Sequence, residues 1–285
     1  MRTLQMRGDA RPRALPVLGL GTWRFGESRS ARKAEIASVR RAIELGYRLI
    51  DTAEMYGEGG AEEVVGAALN EALRAGDLRR EDVVVVSKVY PHNASRSGTA
   101  VACDRSRRRL GLDTIDVYLL HWRGQHPLAQ TTDAFEHLAQ AGHIRRWGVS
   151  NFDVDDMEEL AAISPNCATN QVWYSLRERG PEHALIPWLA ARGVPLMAYS
   201  PIDQGHASRD AALGRLAEAK GVTATQLALA RLLVNPGVIA IPKATGEAHL
   251  RENLAAADVV LTAQEIQAID SQFRRPSRKT PLAMN

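Results

Sequence analysis

Asp51 and Tyr56 stand five residues apart, and Lys88 and His121 follow at intervals of roughly one βαβ unit. A lysine beside a carboxylate is held in place with its charge satisfied. A lysine beside a phenol favours phenolate, which lowers a tyrosine pKa from about 10 towards neutrality. Such a tyrosine can donate a proton to a developing alkoxide or take one from an alcohol. A nearby histidine can hydrogen-bond the reacting oxygen and orient a carbonyl. Together the four groups suit carbonyl–alcohol redox chemistry, provided a hydride donor lies across the site.

Residues so far apart need a scaffold that gathers them. Eight β-rich runs recur, at residues 18–21, 48–52, 83–89, 115–121, 144–150, 168–172, 195–200 and 238–242. Several are almost wholly apolar, as expected of parallel strands buried on both faces. Helical patterns lie between them: Ile36, Val39 and Ile43 share one face, as do Val65, Leu69, Ala72 and Leu73. Thr223 with Gln226, and Thr262 with Glu265, have the form of capping boxes and mark helix starts. The pattern predicts an α/β fold, a single (β/α)8 TIM barrel over residues 1–285. Residues 1–17 are expected to cap the barrel bottom and 274–285 to form a C-terminal tail. The rival, a doubly wound sheet, carries a glycine-rich fingerprint after its first strand, and Gly57, Gly59 and Gly60 lack that spacing. In a barrel, chemistry sits at the C-terminal ends of the strands. Asp51, Lys88, His121, Ser150, Asn151, Gln171, Tyr199, Ser200 and Lys243 all fall at or near such ends.

Composition narrows the classes. The 285 residues carry a net charge of +3, too small an excess, and too evenly spread, for a nucleic-acid partner. Two cysteines, Cys103 and Cys167, exclude a disulfide scaffold and a four-thiolate metal site. No histidine pair sits at metal-ligand spacing beside a carboxylate, so no metal is expected. Residues 1–8 lack the apolar core of a secretory signal, and no run is long enough to span a bilayer. The expectation is a cytoplasmic protein with a small-molecule partner and no membrane partner.

Several segments resemble the aldo-keto reductase family. GYRLIDTAEMYG at 46–57 is similar to its first signature, and VSKV at 86–89 and LLHW at 119–122 to its lysine and histidine segments. WGVSNF at 147–152 resembles its carboxamide-binding strand, and IPKATGEAHLREN at 241–253 its adenosine-phosphate motif. The flavour is that of bacterial methylglyoxal-reducing or generic aldehyde-reducing members. The resemblance implies NADPH-dependent reduction of aldehydes and ketones to alcohols, with Tyr56 as general acid, Lys88 and Asp51 tuning it, and His121 orienting the substrate. It places Ser150, Asn151 and Gln171 at the nicotinamide carboxamide and Tyr199 against its ring. Gly21 and Thr22 would lie under the cofactor, and Ser200 and Ile202 at the pyrophosphate. Lys243, Thr245 and His249 would surround the 2′-phosphate, with Glu252 and Asn253 at the adenine. Family members often carry a serine where this chain has Ala244 and an arginine at His249, a stronger and pH-independent cation. Lys243 still favours NADPH, with NADH as a weaker alternative, and the resemblance implies a usually monomeric enzyme.

Trp23, Tyr90, Trp122 and Phe152, each just past a strand end, are expected to wall the substrate pocket. Longer relatives narrow that pocket with a C-terminal loop, and its absence here implies an open site. The RSRRR run at 105–109 reads as a solvated helix face, and the basic tail beyond Arg274 as a loose surface segment. Two other functions use the same residues: a cofactor-binding regulatory protein with little turnover, and an aldolase or isomerase forming a Schiff base on Lys88.

Overall fold

The computed structural model describes residues 2–5 and 14–284. Eight parallel strands form its centre: β3 (Leu20–Gly21), β4 (Leu49–Asp51), β5 (Val84–Val89), β6 (Ile115–Leu120), β7 (Ile144–Ser150), β8 (Asn170–Trp173), β9 (Leu196–Tyr199) and β10 (Val238–Ala240). Each pairs with the next, and bridges from Leu18 to Ala240 and from Gly21 to Lys243 join the last strand to the first. The sheet is thus a closed (β/α)8 barrel, and the doubly wound alternative is excluded. All eight expected runs are strands, most of them shorter by one or two residues at an end.

The strands alternate by residue between two packed layers, because successive side chains point to opposite faces. Leu49, Val84, Val86, Val117, Leu119, Met197, Ile239 and Ile241 fill the barrel interior. Their neighbours Ile50, Val85, Val89, Tyr118 and Leu120 face the surrounding helices. Continued two residues on, the interior rows reach Asp51, Lys88, His121, Tyr199 and Lys243. The same alternation that buries the core therefore aims the polar groups into the barrel mouth.

Helices α1 (Arg32–Leu45), α2 (Gly60–Ala75), α3 (Arg96–Leu110), α4 (Leu128–Gln140), α5 (Val154–Ile163) and α6 (Leu185–Ala190) follow successive strands. Helices α7 (Ala211–Lys220) and α8 (Ala224–Leu232) both lie between β9 and β10, and α9 (Glu247–Ala255) and α10 (Ala263–Gln272) come after β10. Both expected capping boxes are formed, on α8 and α10. A third, Asp153 with Asp156, starts α5 and was not read from the sequence.

Before the barrel, strands β1 (Thr3–Gln5) and β2 (Ala14–Pro16) pair as an antiparallel hairpin. Leu15 is 1% exposed and belongs to the interior cluster with Leu49 and Val117. Residues 1, 6–13 and 285 lie outside the described residues, and with them part of the expected bottom cap. The C-terminal tail departs from the expectation of a loose segment. Lys279 Nζ lies 3.2 Å from Asp153 and 3.1 Å from Asp155, Leu282 packs on the outer core, and Met284 lines the cleft at the barrel mouth. Two carboxylates at the start of α5 hold the basic tail across the mouth. Its pairing with distant residues left no mark in the local sequence.

Candidate active site

A cleft of about 760 Å³ opens at the C-terminal ends of the strands. Lys88 is fully buried behind it. Its Nζ donates to Asp51 Oδ1 and Oδ2 at 2.9 and 2.8 Å, to the Thr52 carbonyl at 2.8 Å and to the Tyr56 hydroxyl at 3.3 Å. An ammonium has three protons, so these four acceptors take up all of them. With its oxygen accepting from Lys88, the Tyr56 hydroxyl has its own proton available to the cleft.

The electrostatics correct one expectation. Tyr56 is held well above the ordinary tyrosine pKa, not lowered towards neutrality: burial disfavours phenolate, and the Asp51 carboxylate adds to the effect. Lys88 is itself pushed down by burial, opposed by Asp51, so Asp51 largely cancels its charge as seen by the phenol. Tyr56 is a protonated donor. His121 is held well below the ordinary histidine value by burial and by the Lys88 charge. It is therefore neutral, and its Nδ1 is buried with no hydrogen-bond partner among the described residues. The Tyr56 and His121 rings meet edge-on at 5.7 Å.

A hydrogen-bonded string runs round the rim from β7 to β9. Asn151 Nδ2 donates to the His121 carbonyl at 3.1 Å and to Ser150 Oγ at 3.1 Å, and Tyr199 donates to Asn151 Oδ1 at 3.0 Å. Ser150 donates to the Gln171 carbonyl at 2.8 Å, and Gln171 Nε2 donates to Asp51 Oδ1 at 2.7 Å. Backbone strain gathers here as well: Arg24, Asn151, Ser200 and Gln204 line the cleft with φ of 65°, 60°, 46° and 54°. Such positive values cost non-glycine residues energy and cluster at functional sites.

Gly21, Trp23, Asp51, Tyr56, His121, Trp122, Ser150, Asn151, Gln171, Tyr199, Ser200, Ile202, Lys243, Thr245, His249, Glu252 and Asn253 all line this one cleft. Four expected residues do not. Thr22 is buried and donates to the Asp51 carbonyl at 2.8 Å, and Lys88 acts from behind the wall. Phe152 is fully buried in the outer core, because its strand-end position turns it towards the helices. Tyr90 stands outside the wall, edge-on to Trp122 at 5.9 Å. Glu252 is occupied by its own chain, accepting from Thr223 at 2.5 Å and pairing with His249 Nδ1 at 3.1 Å.

The sequence reading missed Arg24, Met55, Ser208, Arg209 and Met284 in the lining. Among the described residues, Arg24, Arg209 and Lys243 make no salt bridge, although all three face the same cleft. Arg24 lies 4.5 Å over the Trp23 ring, and Lys243 5.4 Å over Phe25. Unpaired cations around one cleft fit a ligand with several phosphates. The hydroxyl and amides of Ser150, Asn151 and Gln171 supply donors and acceptors suited to a carboxamide. These donor sets at the two sides of one cleft fit a nicotinamide dinucleotide phosphate. No group of three histidine, cysteine or acidic residues among the described residues is placed to hold a metal ion.

A barrel with this site defines a class of oxidoreductase, and comparison with known proteins agrees. Residues 17–273 match the aldo/keto reductase family, to which the chain belongs. It is 45% identical to methylglyoxal reductase YeaE of Escherichia coli K12, over 99% of each chain, and 35% identical to glyoxal reductase of Bacillus subtilis, over 90% of this chain and 88% of that one. An aldo-keto reductase from Klebsiella pneumoniae, crystallised with NADPH, superposes with a TM-score of 0.92 at 44% identity, covering all of both chains. The chain is an NADPH-dependent oxidoreductase that reduces aldehydes and ketones to alcohols. The reading as a regulatory protein finds no support. The Schiff-base reading is contradicted by Lys88, which is buried with every proton engaged.

Proposed function

We propose that Tyr56 is the general acid of this reduction and that the substrates are small, uncharged carbonyls such as 2-oxoaldehydes. The observation carrying the assignment is the contact of Lys88 Nζ with both the Asp51 carboxylate and the Tyr56 hydroxyl at the wall of the cleft. When bound, NADPH would supply the hydride that reduces the carbonyl carbon. Tyr56 donates its proton to the carbonyl oxygen, and Lys88 Nζ donates a hydrogen bond to the phenolate that is left. Neutral His121 orients that oxygen by hydrogen bonding. Asp51 fixes Lys88 and, through Gln171, ties it to the strand opposite.

Ser150, Asn151 and Gln171 would hold the carboxamide, and Tyr199 would face the ring. Gly21 would lie beneath, and Thr22, buried behind the wall, supports it through the Asp51 carbonyl at 2.8 Å. Ser200 and Ile202, joined by Arg24 and Arg209, face the pyrophosphate. Lys243, Thr245 and His249 would hold the 2′-phosphate and Asn253 the adenine, with Glu252 steadying His249 at 3.1 Å. Trp23, Met55, Trp122 and Met284 form the apolar wall around the carbonyl. The names of the methylglyoxal and glyoxal reductases among its relatives support a small-substrate reading.

We assign the enzyme to the cytoplasm as a monomer. Both cysteines are free buried thiols, the cleft is built from one chain, and the large exposed apolar residues Val101, Ile163, Val234 and Val260 are scattered over separate elements. Light scattering on the purified enzyme checks the monomer. The catalytic assignment is tested with Tyr56→Phe, assayed against methylglyoxal, aromatic aldehydes, aldoses and 2-keto acids with NADPH and with NADH. Loss of at least about 100-fold in kcat is expected, from removal of a general acid. Turnover by Tyr56→Phe at the native rate sinks the assignment.

A further inference from the structure

The turn that carries Tyr56 closes on backbone hydrogen bonds alone, from the Tyr56 amide to the Ala53 carbonyl at 3.1 Å and from the Glu58 amide to the Met55 carbonyl at 3.3 Å. Gly57, Glu58 and Gly59 have successive φ of 57°, 52° and 91°, and no side chain caps the turn. Glu58 in particular occupies a region that costs a residue with a side chain. Something outside the turn must fix the phenol to within the few tenths of an ångström that proton transfer requires.

Two buried carboxylates flank it. Glu54, two residues before Tyr56, is 4% exposed; its Oε1 accepts from the Tyr90 amide at 2.7 Å and Asn93 Nδ2 at 3.0 Å, and its Oε2 from Arg105 at 3.1 Å. Glu62, in the first turn of α2, is fully buried; its Oε1 accepts from Ser87 Oγ at 2.6 Å and its Oε2 from Arg109 at 3.1 Å. Ser87 precedes Lys88 and Tyr90 follows it by two, so each carboxylate also grips the strand that carries the lysine. Arg105 and Arg109 are one helical turn apart on α3, hence on the same face. The Arg109 guanidinium further lies beneath Gly59, where a Cβ would come within 2.3 Å of its Cζ.

We propose that Arg105 and Arg109 are positioning residues: from one face of α3 they clamp both ends of the Tyr56 turn against the Lys88 strand and so set the Tyr56–Lys88 distance. Two members of the 105–109 run are thereby part of the site's support and not a solvated face. A buried carboxylate that loses its only cation is left with an uncompensated charge, which unseats it and disturbs the turn beside it. The proposal rests on Tyr56 being the general acid, and its test separates the two.

Full-length Arg109→Met, Arg105→Met, Arg109→Lys and Glu62→Gln are compared with the native enzyme and Tyr56→Phe, using NADPH and methylglyoxal. The readouts are the single-turnover rate of NADPH oxidation, the NADPH Kd from protein fluorescence, and the thermal midpoint. The clamp predicts that Arg109→Met and Arg105→Met each slow single turnover about tenfold with the NADPH Kd within about twofold, and that Arg109→Lys recovers most of the rate. Should a methionine variant fail to fold, Glu62→Gln keeps shape and carries the same expectation. A single-turnover rate within about twofold of native, with or without a lower thermal midpoint, overturns the clamp and leaves a structural ion pair. So does a loss of rate matched by an equal loss of NADPH affinity. An inactive Tyr56→Phe beside a native-rate Arg109→Met sinks the clamp alone, whereas an active Tyr56→Phe sinks the general-acid assignment and the clamp with it.

Discussion

The protonation states of Tyr56 and His121 follow from burial and from the charges beside them. Burial and Asp51 keep Tyr56 protonated well above its ordinary range, and burial and Lys88 keep His121 neutral well below its own. The proposed proton donation by Tyr56 uses both states, so kcat for reduction is expected to be flat from about pH 6.5 to pH 9. A basic limb with an apparent pKa near 7 or 8 in the pH–rate profile would show phenolate forming early and refute this. Stability has a related sign. His121 takes up its proton in the unfolded chain first, so its contribution is complete above about pH 6.5 and declines as pH falls below that value. Lys88 is a poor residue to remove when testing the chemistry. Its loss leaves Asp51 buried without its cation, at about 3–5 kcal/mol, and confounds activity with folding. Asp51, Lys88 and His121 were legible in the sequence because each ends an interior-facing row whose period is visible in one strand, and Tyr56 because it follows Asp51 by five residues. The direction of the Tyr56 shift was not, because it depends on how completely Asp51 offsets Lys88, and that is a matter of distances.

The elements around the mouth decide which carbonyls enter. The sequence suggested an open site with no C-terminal segment over it. The structure instead pins the tail to the start of α5, Lys279 to Asp153 and Asp155, and brings Met284 into the lining of the cleft that Trp23 and Trp122 also line. Removing residues 279–285 is expected to raise kcat/KM for bulky aromatic aldehydes relative to methylglyoxal by about tenfold, since one apolar wall contact is worth that much discrimination. An unchanged ratio would mean that the tail plays no part in selection. Trp23 and Trp122 were found from their place after strand ends. Phe152 was misplaced by the same rule, because a strand end has two faces and only packing shows which one a residue takes.

At the scale of the whole molecule, a ligand that gathers Arg24, Arg209 and Lys243 links three separate segments of the barrel mouth. Ligands that bind only the folded chain stabilise it by mass action, about 2.7 kcal/mol at one hundred times Kd. For a chain of this size NADPH at that level should raise the thermal midpoint by about 5 °C, and NADH at the same concentration by less. Equal shifts for the two cofactors would show that Lys243, Thr245 and His249 make no useful contact with a 2′-phosphate. None of the three cations has a salt-bridge partner within the described residues, which is the physical reason to expect a phosphate-dependent effect.

By itself the sequence determined the barrel, the order of its strands and the residues at their ends. Period-two burial, capping residues and strand spacing are local, and local patterns survive in one dimension. The tertiary structure decided what depends on segments far apart: the raised Tyr56 pKa, the tail drawn over the mouth, the cations left unpaired around the cleft, and the two arginines of α3 gripping the carboxylates on either side of Tyr56. Those outcomes rest on distances between elements, and a single chain written in order does not contain them.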